Sequence, residues 1–301
     1  MGAVDELNQA WGIEGILNFK LGKGEMPVIE ISNAFAQANI ALQGAHILSF
    51  VPKGEKELIW MSEDATFAAG KSLRGGVPIC WPWFGPHASD SSLPGHGPAR
   101  TANWKPVASK SLDDGRTSIS LEMQQNEQIK AVCGHALSVQ LTIIVGKSLE
   151  ISLQTTNLGD ASFTLGQALH TYFNVSDVRK VNIEGLEGCE YLDKVEGSVR
   201  KKQEGAVTIT QETDRVYVNT GNQMRIVDAG MNRTIVIRNQ GSASAIVWNP
   251  WLETAAKMGD LGQDGYLNML CVETANALDD VVELASGATH TMAAEYCIER
   301  V

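Results

Sequence analysis

In "SFTLGQALHTYFNV" (162–175) one histidine stands in an alternating apolar segment. Alternate residues of a strand share a face, so His170 stands with Gly166, Ala168 and Tyr172. Small neighbours beside an imidazole leave room for a substrate, and an imidazole gives or takes a proton near neutral pH. The alternative is a structural histidine bonded to a neighbouring strand. In "NMLCVETAN" (268–276) the same alternation puts Cys271 and Glu273 on one face and Val272 on the other. A carboxylate there is either exposed at a rim or buried, and burial without a partner raises its pKa into the range of a general base.

Two arginines accompany these groups. Arg74 opens "RGGVPICWPWFGPH" (74–87), and Arg100 follows His96, framed by glycines, in "LPGHGPARTANW" (93–104). A guanidinium is a planar fork suited to phosphate or carboxylate; the alternative is a pair of solvated surface arginines. The prolines of 74–87 exclude a helix or a central strand, so that stretch reads as a stiff loop. Its stiffness would present Arg74 with little ordering cost on binding. Trp81, Trp83 and Phe84 would mostly pack the loop down. Asp214 in "TDRVY" (213–217) is either a solvated turn residue or an acceptor for sugar hydroxyls, and Trp248 in "VWNPW" (247–251) offers a stacking face.

Short alternating segments must position all of these. Strands are expected at 28–32, 117–123, 138–145, 149–157, 206–211, 233–239 and 244–249, separated by the turn signals "GKGE", "DDGR", "NLGD" and "NQGS". Short helices are expected at 3–11, 62–69 and 252–259. The pattern points to an all-β chain, one large antiparallel sandwich over residues 1–301. The alternative is two β domains divided near the polar stretch 196–205.

Composition narrows the classes of function. With 44% apolar residues a sizeable core can be buried, and a net charge of −11 argues against nucleic-acid or acidic-membrane partners. Five scattered cysteines without a CxxC pair point to a reduced, cytoplasmic protein. The acidic N-terminus does not read as a signal peptide, Gly2 is not followed by Ser or Thr at position six (Glu6), and no apolar run approaches a membrane span. A dinucleotide fingerprint, a P-loop, HExxH and GxSxG are all absent, and the six histidines are dispersed. No metal or cofactor is therefore expected, and a monomer is.

Taken together, "GAHILSF" (44–50), "RGGVPICWPWFGPH", "LPGHGPAR", "HTYFNV", "TDRVY", "VWNPW" and "MLCVETAN" resemble the glucose-6-phosphate 1-epimerase family, within the wider aldose 1-epimerase group. The resemblance implies a galactose-mutarotase-like antiparallel β-supersandwich with a few short helices and a site on a concave face. By motif, His170 matches the general acid and Glu273 the general base. His96 matches a second histidine near the ring, and Asp214 a contact to sugar hydroxyls. Arg74 and Arg100 fall in motifs associated with the phosphate cluster. Pro98 stands where the family usually has an aromatic, and would reshape the loop carrying His96 and Arg100. The implied activity is interconversion of the anomers of a hexose 6-phosphate, with a small-molecule sugar phosphate as partner. His170 and Glu273 would face each other from opposite sides of the sugar ring. The alternatives are an epimerase of unphosphorylated sugars, which leaves the arginines without a task, and a non-catalytic carbohydrate-binding or sensing protein. A glycosidase would want two carboxylates.

Overall fold

The computed structural model describes residues 2–124 and 127–300, and antiparallel strands dominate it. A four-stranded sheet runs in chain order through Leu17–Leu21, Pro27–Ser32, Ala36–Ala41 and His46–Pro52. A nine-stranded sheet begins as a meander through Trp104–Ser111, Thr117–Met123, Leu137–Val145 and Leu149–Asn157. It continues through Thr289–Glu299, Arg233–Gln240, Gln223–Asp228, Asn182–Glu184 and Val207–Thr208. The eight-stranded sheet carries the site. From one edge it runs Ile79–Cys80, Gln167–Leu169, Met269–Asn276, Ser244–Asn249, Thr213–Val218, Glu190–Asp193 and Val199–Lys202, with Tyr172–Asn174 also paired to Met269–Asn276. This is the antiparallel all-β architecture with a few short helices that was expected.

The alternation that predicts strands also builds the core. Every second residue of Leu137–Val145 and Leu149–Asn157 is buried. Leu141, Leu153 and Tyr296 from the nine-stranded sheet join Leu169, Phe173, Val247, Leu270 and Val272 from the eight-stranded sheet in one apolar cluster. Two buried polar ties cross between these sheets: Trp81 Nε1 donates to Thr155 Oγ1 (3.0 Å), and the hydroxyls of Thr171 and Tyr296 pair at 2.7 Å. The polar stretch 196–205 holds the strand Val199–Lys202, and buried side chains from both sides of it belong to that one cluster.

Several local expectations need correction. Of the segment 206–211 only Val207–Thr208 is strand. The helices at Ala3–Trp11 and Trp251–Met258 match, but 62–69 is turn and irregular backbone. There the Asp64 N–H donates to Ser62 Oγ, the local bonding by which Ser competes with a helix. Helices Glu127–Cys133 and Gly265–Asn268 were not expected. The stretch 74–87 is not wholly loop, because Ile79–Cys80 pairs as the outermost strand of the eight-stranded sheet, the edge position that flanking prolines tolerate. None of the described helices is long and apolar enough to cross a membrane.

Candidate active site

The strand Met269–Asn276 is buried along its whole length, because both of its faces are covered. Leu270 and Val272 point into the core, which sends Cys271 and Glu273 to the opposite face. Glu273 stands in register with Ile246 on one flank. On the other flank the partner strand is broken. Gln167–Leu169 pairs with residues 274–276 and Tyr172–Asn174 with 269–271, leaving His170 and Thr171 unpaired opposite Val272 and Glu273. Their backbone donors go elsewhere, His170 N–H to Pro78 O (3.0 Å) and Thr171 N–H back to Leu169 O (2.8 Å). At this break the imidazole leans over the carboxyl, with His170 Nδ1 3.4 Å from Glu273 Oε1.

The pair is therefore adjacent, which corrects the expectation that a sugar ring would separate its members. The cause is the interrupted strand. Adjacency suits hemiacetal chemistry, since the anomeric hydroxyl and the ring oxygen are bonded to the same carbon. Both groups are shielded from water, Glu273 at 1% and His170 at 13% side-chain exposure. Burial, with Asp214 adding to it, pushes the Glu273 carboxyl well above its usual range. Burial, helped by His96, Arg100 and Arg74, pulls His170 well below its own. Both shifts act in the same sense, favouring the uncharged form of each group.

His96 approaches from the loop side with a left-handed backbone (φ +66°). Its Nδ1 accepts the Gly85 N–H (3.3 Å), which leaves the hydrogen on Nε2 as a donor. Its ring sits edge-on to Phe84 at 4.9 Å and 5.8 Å from His170. Burial, then the charges of Arg100 and Arg74, lower its pKa to about 4. The next residue must be glycine: Gly97 has φ +71°, and a Cβ there would meet Trp81 O at 1.9 Å. Pro98, with φ −86°, precedes the short turn Ala99–Thr101, and both His96 and Arg100 line one cavity.

Arg100 donates from Nη2 to Gly95 O (2.9 Å) and has no ion-pair partner among the described residues. Arg74 donates from Nε to Asp260 Oδ1 (3.0 Å) and from Nη1 to Tyr172 Oη (3.1 Å). Burial alone would lower the Arg74 pKa, but Tyr172 and Asp260 outweigh it and hold the guanidinium above its usual value. The Tyr172 ring stacks on His170, and Trp248 stands edge-on to both at 5.9 Å. Asp214 lies in register with Trp248, its carboxyl raised by burial and partly restored by Lys194.

One cavity of about 330 Å³ is lined by His170, Glu273, Arg74, His96, Arg100, Asp214 and Trp248 together, the full set of candidates drawn from the sequence. A larger hollow of about 690 Å³ beside Trp60 and Asp264 has no histidine, lysine or arginine in its lining. Sequence reading left out Tyr172 as a site residue, although alternation had set it on the His170 face. It missed Asp260 altogether, for no local pattern links it to Arg74. The room expected beside the His170 imidazole is present, but it does not extend over Gly166, where the backbone of Trp83 and Phe84 lies 3.4 Å from a glycine Cβ position. Of the loop aromatics, Trp81 is core, Trp83 donates to Pro94 O and only Phe84 lines the cavity.

Residues 27–297 match the family described as aldose 1-epimerase. A protein of Escherichia coli (strain K12), provisionally named glucose-6-phosphate 1-epimerase, is 39% identical over 254 residues, 84% of each chain. The crystal structure of a provisionally assigned mutarotase from Salmonella typhimurium superposes with a TM-score of 0.90 at 34% identity, covering 97% of this chain and 96% of the other. A galactose mutarotase related enzyme from Lactobacillus acidophilus shares the fold at 14% identity, with a TM-score of 0.72 over 90% of this chain and 97% of its own.

Proposed function

The chain belongs to the aldose 1-epimerase family, and on that premise we propose that it interconverts the α and β anomers of a hexose 6-phosphate, glucose 6-phosphate being the first to test. It is an isomerase. The observation that carries the phosphate reading is the cavity itself, which joins an adjacent carboxyl–imidazole pair to two guanidinium groups. Its volume sits at the small end for ligand pockets, as a single sugar requires.

The reaction opens and recloses a hemiacetal. Glu273 as carboxylate takes the proton of the anomeric hydroxyl. His170 as imidazolium gives a proton to the ring oxygen as its bond to the anomeric carbon breaks. The aldehyde turns about the adjacent carbon–carbon bond, and closure on its other face returns both protons. Each positioned group is worth roughly a hundredfold to ten-thousandfold. The uncharged pair that burial favours has the same proton count as the competent carboxylate–imidazolium pair, so one proton passed between them would prepare the site. Arg100 and Arg74 are among the charges that depress His170. A phosphate dianion held by them would cancel that effect and favour the imidazolium, tying substrate recognition to activation of the acid.

In this reading His96 donates from Nε2 to a ring substituent, Asp214 accepts from sugar hydroxyls and Trp248 walls the ring. The reading is tested by NMR exchange between anomers of glucose 6-phosphate and of glucose. Catalysed exchange of the phosphate ester, far faster than of the free sugar, is the expected result. Equal rates would remove the phosphate assignment, and no acceleration of either would remove the enzyme.

A further inference from the structure

We infer that His170, Cys271 and Glu273 form a binding site for a borderline-soft divalent cation of the Zn²⁺ type, which locks the proton-transfer pair while it is bound. One ring nitrogen, the thiol sulfur and one carboxylate oxygen all lie within 4.8 Å of one another. Ligand atoms on a tetrahedral zinc, with bonds of ~2.0–2.3 Å, stand about 3.5 Å apart, so the three side chains need to tighten by about 1 Å.

The fold builds this triad. Cys271 and Glu273 are two apart on one strand and share a face, and the break opposite residue 273 turns His170 onto it. Its polar atoms are ready for a ligand. His170 Nδ1 and Glu273 Oε2 are buried and have no hydrogen-bond partner among the described residues. The thiol is fully buried beside Tyr172, its register partner on the neighbouring strand.

The donor set selects the ion. A thiolate and an imidazole favour Zn²⁺ or Co²⁺ over Mg²⁺ or Ca²⁺. With thiolate and carboxylate each −1 and the imidazole neutral, a divalent ion brings the site to zero net charge, which a buried position tolerates. His170 and Glu273 line the cavity and Cys271 does not, so a fourth ligand, water or substrate as in zinc sites with three protein ligands, would come from the cavity. Arg74 and Arg100 repel a cation while Asp214 attracts one, so the site should be reversible rather than permanently loaded. Binding displaces the thiol and carboxyl protons into solvent. The lone pairs that would move protons are then engaged by metal. Binding stands on the geometry alone; its effect on turnover rests on the anomer-exchange reading.

Titration of the full, reduced chain with Co²⁺ is expected to produce a thiolate-to-cobalt charge-transfer absorption at one ion per chain, abolished by Zn²⁺. Cys271→Ser should lose that absorption, keep anomer exchange, and be less sensitive to Zn²⁺ by at least about tenfold. Chelation should restore the native enzyme. X-ray absorption of the zinc-loaded native chain, which needs no variant, should show one sulfur at ~2.3 Å. A zinc shell of nitrogen and oxygen only, or a cobalt spectrum unchanged in Cys271→Ser, would overturn the site. Metal bound through sulfur with undiminished exchange would leave the site standing and overturn its role as a lock.

Discussion

The His170 imidazole lies against the Tyr172 ring, centroids 5.0 Å apart and planes within 13°. Through its hydroxyl the same tyrosine accepts a hydrogen bond from Arg74, so one side chain joins the proton-transfer end of the cavity to its cationic end. Tyr172→Phe keeps the stack and removes the bond to Arg74. It should raise KM for the phosphate ester about two- to tenfold, the range of one ordinary hydrogen bond, with kcat within a factor of about two. Steady-state kinetics on glucose 6-phosphate reads this, and a dominant fall in kcat would show that the hydroxyl serves the chemistry instead.

Removing either member of the pair should abolish most of the rate. Glu273→Gln and His170→Asn are each expected to lower kcat by roughly a hundredfold to ten-thousandfold. The double variant should be little worse than the worse single one, because the two act as a unit. Exchange spectroscopy on well-folded protein decides, and a single variant retaining near-native turnover would exclude that residue from proton transfer.

Arg74→Ala separates the substrates. Hydrogen bonds to charged groups are worth about 1.5–3 kcal/mol, so KM for the phosphate ester should rise about ten- to hundredfold. Any activity on the free sugar should hardly change. Asp260→Asn should act in the same direction more weakly, since Asp260 orients the guanidinium through Nε. Equal losses on both sugars would assign Arg74 to the fold.

Acid should destabilise the protein through His46, which is fully buried with Nε2 against Gly75 O at 2.8 Å. Burial chiefly, opposed by that backbone bond, brings its pKa from 6.5 to about 4. The unfolded chain then binds the extra proton first, so this stability is fully present above pH 6.5 and lost as pH falls toward 4. The shift corresponds to about 3 kcal/mol. Urea unfolding of native protein and His46→Gln at pH 7 and pH 4 measures it. The variant should lose less stability across that interval, and identical acid losses would show that His46 does not titrate.

Much of the site was legible because strand parity is local. That Cys271 and Glu273 share a face follows from their spacing alone, and so does the grouping of His170 with Tyr172. The glycines framing His96 carried no such reading: what they are for shows only in the folded loop, in the left-handed φ of His96 and the contact that forbids a side chain at Gly97. The segment 62–69 misled because its helical pattern competes with the bond from the Asp64 N–H to the Ser62 hydroxyl.

Residue types, face by face along each strand, were thus set by the chain's own order, since the pleat repeats every two residues whatever lies beside it. What only the tertiary structure decided was adjacency. The break at His170–Thr171 falls opposite Glu273 because two segments a hundred residues apart pair in one register. That register sets the acid against the imidazole and brings both beside Cys271. Asp260 reaches Arg74 across 186 residues from outside any strand, a contact between two loops. Such contacts depend on how whole sheets pack, and no local periodicity encodes them.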